Sequence, residues 1–165
     1  MRLQTTLPLD TANRIATEAL RLGREAELLP LTVVVLDAGG KLIAMQSEDG
    51  SGLMRFEIAF GKAWGALGMG ISSRLIRDRL SARPTFQAAL ATASDGRFIP
   101  VPGGVLIENT QATTLGAVGI SGDTSEKDEY CAIKAIGSAG LHSEPREPDP
   151  NWRGSSLSDH DPPET

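Results

Sequence analysis

Histidine, cysteine and aromatic residues are all scarce in this 165-residue chain. The two histidines, His142 and His160, leave the first 141 residues without an imidazole. No Ser-His-Asp set and no H-E-x-x-H zinc helix is present. Cys131 stands alone, which excludes an intramolecular disulfide and a multi-cysteine zinc site. Aromatics make up 4% of the residues while glycine and alanine abound, so the core must rely on close backbone approach. The net charge is −5 and no Lys/Arg run occurs, which argues against nucleic-acid binding. No apolar run approaches the roughly 20 residues of a membrane helix. The opening "MRLQTTLPLD" lacks the apolar stretch of a signal peptide, so a cytoplasmic protein with no membrane partner is expected.

What is present reads as one domain over residues 1–142, then a Pro-rich extended tail over 143–165 whose anchor-like residue is Trp152. Asp10 opens a helix with Ala12, Ile15, Ala16 and Ala19 on one face. "LTVVVLD", the turn "AGG" and "KLIAMQS" form a hairpin. A second helix over about Leu53–Met69 carries the apolar stripe Phe56, Ala59, Phe60, Ala63, Trp64 and Leu67. Two short helices follow, one capped by Ser72 or Ser73 and one opening at Pro84. "VLIEN" and "ATTLGAVGIS" read as strands, the second buried on both faces. Asp123 and Glu126 give a D-x-x-E start to a last helix over about Thr124–Leu141. Met45, Met54 and Met69 are expected in the core. The order implies an α+β fold, an antiparallel sheet of about five strands flanked by helices.

The stretch "GGVLIENTQATTLGAVGISGD" holds five glycines, yet matches neither the Walker loop nor the G-x-G-x-x-G fingerprint. Gly116 and Gly119 suit close packing on a buried sheet. Gly122 sits at a strand-to-helix junction, but Asp123, Glu126, Asp128 and Glu129 crowd that turn and disfavour a phosphate. The pair Gly103–Gly104 fits either a tight turn or a place where a ligand meets the backbone.

The runs "VVVLDAGGKLIAM", "AFGKAWGAL", "PVPGG", "LGAVGISGD" and "EKDEYCA" resemble, in that order, the GlcG/HbpS family over roughly residues 10 to 142. This family also includes the C-terminal domain of some cobalamin adenosyltransferases. The resemblance implies a profilin-like sandwich, assembly into tetramers or octamers, and a small molecule, haem or another tetrapyrrole as ligand. It places Lys62, Pro102, Gly103, Gly104, Ser121, Gly122 and Asp128 at the site.

Arg55, Ile58 and Lys62 share one helix face, where two cations beside an apolar residue suit a ligand carboxylate. A salt bridge from Lys62 to Asp128 is the structural alternative. Haem iron takes His, Cys, Met or Tyr, and this chain departs from the usual equipment by lacking an early histidine. Glu126, Asp128 and Glu129 are weak candidates for a hard cation. Two functions are therefore expected. One is a small-ligand or haem-binding protein. The other is an enzyme that moves a proton on a small oxo- or hydroxy-acid, with Lys62 or Asp128 as base and Arg55 as clamp.

Overall fold

A computed structural model describes residues 4–157; the last part of the expected tail, including His160, lies outside the described residues. Five strands form one antiparallel sheet in the order β2-β1-β4-β3-β5. They are β1 (Thr32–Asp37), β2 (Leu42–Ser47), β3 (Gly104–Glu108), β4 (Thr114–Ser121) and β5 (His142–Glu144). The expected α+β sandwich is what forms. Helices α1 (Leu9–Glu25) and α5 (Ser125–Ser138) cover one face, and α2 (Arg55–Met69) covers the other. The short helices α3 (Ser73–Leu80) and α4 (Pro84–Ala93) lie beside α2. No helix among the described residues is long and apolar enough to cross a membrane.

The larger core lies under α1 and α5. Ala12, Ile15, Ala16 and Ala19 meet Val33, Val35, Val118 and Ile120 of the sheet and Ala132 and Ile136 of α5. Alternation along each central strand sends Val34, Leu36 and Ala117 to the opposite face, against α2. Strand β4 is central and buried along its last six residues, as its two-sided apolar pattern requires.

Helix α2 packs close against the sheet, and glycines allow it. A Cβ on Gly119 would fall 1.8 Å from the Ala59 carbonyl oxygen, and one on Gly104 would fall 2.2 Å from that of Lys62. The helix backbone therefore rests directly on β3 and β4. Only Ala59, Ala63 and Ala66 fit the innermost line, while Phe56, Phe60, Trp64 and Leu67 are pushed to the flanks and stay half-buried. Ser73 completes the contact. Its hydroxyl accepts the Gly104 N–H at 2.7 Å and donates to the Gly104 carbonyl at 3.2 Å.

Several local expectations are corrected. Helix α1 starts after Pro8, so Asp10 sits inside its first turn. Met45, Met54 and Met69 are exposed rather than core. Met45 lies on edge strand β2, beyond the main footprint of α2 on β1, β3 and β4, while Met54 immediately precedes α2 and Met69 is its last residue. At α5 the capping runs in an unexpected direction. Asp123 accepts from Leu29 and Thr124, while Asp128 reaches back to the Asp123 N–H. The chain after Ser143 is not simply extended up to Ser155. Glu144 ends a sheet strand, and Trp152 is buried in a 3₁₀ turn (Trp152–Gly154). Stacking of Trp152 on Tyr130 is the physical reason.

Gly119→Ala should cost about 3 kcal/mol or more of stability by forcing α2 off the sheet. Urea denaturation checks this, with Gly137→Ala as the control, because a Cβ there meets nothing within 4 Å.

Candidate functional site

Lys62 is the largest fully buried side chain described, at 2% exposure. It leaves α2 on one face of the sheet and rounds the end of β4. There its ammonium donates to the Ile120 carbonyl at 2.8 Å and to Asp128 Oδ2 at 2.9 Å. Asp128 belongs to α5 on the opposite face and is 1% exposed. Gly103 makes the passage: with φ at +113°, a Cβ there would lie 2.9 Å from Lys62 Nζ. Burial pushes the Asp128 carboxyl up, against the pull of the Lys62 ammonium and of its hydrogen bonds to Lys62 and the Asp123 N–H.

The remaining sequence-predicted residues gather around this pair. Arg55 donates to Ser121 Oγ at 3.2 Å from the first turn of α2. Pro102, Gly103, Gly104, Ser121 and Gly122 are all buried. A Cβ on Gly122 would strike the Pro30 carbonyl at 2.4 Å, so its bare face is filled by the α1–β1 connection. The structure thus brings the expected residues together as a packed brace. With its ammonium doubly engaged and sealed, Lys62 has no open approach for a substrate proton in this conformation. Burial tends to raise Asp123, but the N–H groups of Leu29 and Thr124 and the nearby Lys127 outweigh it and hold the carboxyl low.

The acidic candidates separate instead of converging. Asp128 faces Lys62, Glu126 pairs with Arg77 at 3.4 Å, and Glu129 meets Arg74 at 3.3 Å. Among the described residues no three His, Cys, Asp or Glu side chains are grouped for a metal ion. Cys131 is buried and its thiol is pushed up to about 12 by burial first and by Asp128 next. Tyr130 is stacked against Trp152 with ring centroids 3.7 Å apart.

The open concavities lie elsewhere: a polar one of about 460 Å³ lies between α1 and α5, bordered by Asp10, Arg14, Glu18 and Ser138, and two others lie on the flank of α2. One, of about 200 Å³, is bounded by Trp64, Met69, Leu90 and Phe98 between α2 and α4. A second, of about 380 Å³, is bounded by Phe56, Phe60, Asp95 and Arg97. The Arg97 guanidinium lies 4.5 Å from the Trp64 ring centroid, between the two. A further cleft of about 350 Å³, beside α5, includes Ile133, Lys134, His142 and Arg146. Sequence reasoning did not single out the α2 flank. Its aromatic spacing was legible, but the glycine-driven displacement of those rings toward solvent was not.

The HbpS-like model, described as a haem degrading protein, matches residues 7–137. The chain belongs to the HbpS-like family. Solved structures agree on the fold. The PduOC:heme complex superposes with TM-score 0.75 at 22% identity, covering 84% of this chain and 98% of that one. Protein ORFY of Klebsiella pneumoniae gives 0.74 at 24% identity, with 85% and 94% covered. A double mutant of Streptomyces reticuli HbpS gives 0.70 at 21% identity, with 84% and 90% covered. A sequence search of curated proteins finds no significant match. The family match ends before β5, so the segment carrying Trp152 lies outside the matched residues.

Lys62→Met leaves Asp128 buried without its cation and should cost about 3–5 kcal/mol. Lys62→Met combined with Asp128→Asn should recover much of that loss, since the amide oxygen that replaces the carboxylate would still accept from the Asp123 N–H. Equilibrium denaturation of the two variants checks the pair as a brace.

Proposed function

We propose that this HbpS-like chain is a binding protein for a small planar ligand, haem or a related tetrapyrrole, seated on the outer flank of α2. The observation that carries this reading is the aromatic flank itself. Phe56, Phe60, Trp64 and Phe98 border two clefts, with a guanidinium placed between them. A macrocycle edge would lie against the rings, and Arg97 would exchange its cation–π contact for a carboxylate. Clefts lined mainly by apolar side chains with few polar groups suit such a guest.

The donor set fits haem iron in one way. Met69 borders the smaller cleft and offers a thioether, a known axial donor. Cys131 and Tyr130 are occupied by burial and by stacking, and His142 lies at the separate cleft beside α5. When bound, the group would supply redox and light-absorbing chemistry; the protein supplies an apolar wall, one cation and partial exclusion of water. The family description and the haem complex of a structural relative support the same ligand class.

Exposed Leu42, Met45, Leu53 and Met54 on the β2 edge and before α2 support the homo-oligomer that the family resemblance implies. Proton-transfer catalysis at Lys62 and Asp128 receives no support from their sealed geometry.

Haemin titration with visible absorption tests the reading. A saturable, shifted Soret band is expected, weakened at least about tenfold in Kd by Trp64→Ala or Phe60→Ala. Met69→Leu should move the band by removing the thioether, and His142→Ala should leave it in place. A non-saturating spectrum overturns the ligand class; loss of the band in His142→Ala alone moves the seat to the cleft beside α5.

A further inference from the structure

The segment from Glu144 to Ser155 crosses α5 as a strap, and it is fastened along its length. Glu144 accepts from the backbone N–H and the hydroxyl of Ser72 at the start of α3. Arg146 pairs with Glu108 of β3 at 2.9 Å. Arg74 of α3 donates to the Glu147 carbonyl at 2.8 Å. Trp152 stacks on Tyr130 of α5, with Arg153 over its other face at 4.5 Å. The Ser155 hydroxyl bonds to that of Thr124 just before α5.

At the turn of α5 that the strap crosses sits Glu129. It is 0% exposed, and neither carboxyl oxygen has a hydrogen-bond partner. Its one close charge is Arg74, whose Nε lies 3.3 Å from Oε1. The same guanidinium holds the strap through the Glu147 carbonyl, so one side chain links the buried carboxyl to the cover. A buried carboxyl without donors is tolerable when neutral and costly when ionised.

We propose that the strap is a proton-linked cover, closed while Glu129 is protonated and loosened when Glu129 ionises and demands water. The charged groups around Glu129 are Arg74 and Arg77 from α3, Glu126 from its own helix and Asp149 from the strap. Burial pushes the carboxyl up to about 7, with Asp149 and Glu126 adding to the rise and the two arginines opposing it. An opened strap returns the group toward its ordinary value near 4.5. Between those limits the closed form holds a proton that the open form has lost. The closing equilibrium therefore falls as pH rises, by up to about tenfold per pH unit. Below the lower limit and above the upper one it levels off.

Amide hydrogen exchange on the intact protein from pH 5 to 8, corrected for intrinsic rates, reads this directly. Protection across 146–157 should fall by up to about tenfold per unit from pH 5 to 7 and flatten by pH 8, while β4 peptides hold theirs. Glu129→Gln keeps the neutral shape and should abolish the fall. Strap protection that is constant with pH in the wild type overturns the proposal, as does an equal fall in the Gln variant. Should that variant fail to fold, the wild-type comparison of strap with β4 decides alone.

Discussion

The chain depends on one close approach, that of the α2 backbone onto β3 and β4. Gly104 and Gly119 permit it, and alanines at 59, 63 and 66 line the seam. The small residues gain contact area through backbone proximity where ring volume is lacking. The large residues of α2 are displaced sideways as a result. The aromatic flank proposed as the ligand seat is thus a by-product of the way the sheet is packed.

A second consequence is the route taken by Lys62. Because α2 lies so low, a four-carbon side chain can reach around the end of β4 to Asp128 on the far layer. Gly103 vacates the passage. The ion pair is buried and offers little stability over an apolar replacement of equal shape. It does fix the two helical layers relative to each other, which an apolar contact of the same size would do with less directional precision.

The element order and the α+β class were legible because each strand and helix carries its own period. The hairpin turn, the cap at Ser72 and Pro84 at the start of α4 were equally local signals. Most residues of the brace were named through the family resemblance of "AFGKAWGAL", "PVPGG", "LGAVGISGD" and "EKDEYCA", but nothing in those runs showed that they would be sealed. Burial of a lysine depends on helix height above the sheet, a tertiary quantity. The methionines misled for a related reason, since exposure of Met45 follows from the limited footprint of α2. Strand β5 was hidden because three residues, His-Ser-Glu, carry no readable alternation. Trp152 stood out in the sequence, but its partner Tyr130 could be found only by folding the chain.

Strand β5 also governs how the sheet can grow. It covers β3 from Leu106 to Glu108, is only three residues long, and runs at once into Pro145. That end of the sheet is therefore blunted. At the other end β2 presents six residues of strand with no neighbour beyond it among the described residues. For sheet-to-sheet joining between copies, β2 is the longer open edge among the described residues. A head-to-head pair through β2 would consume both longer edges and leave only the blunted β5 ends for a further copy.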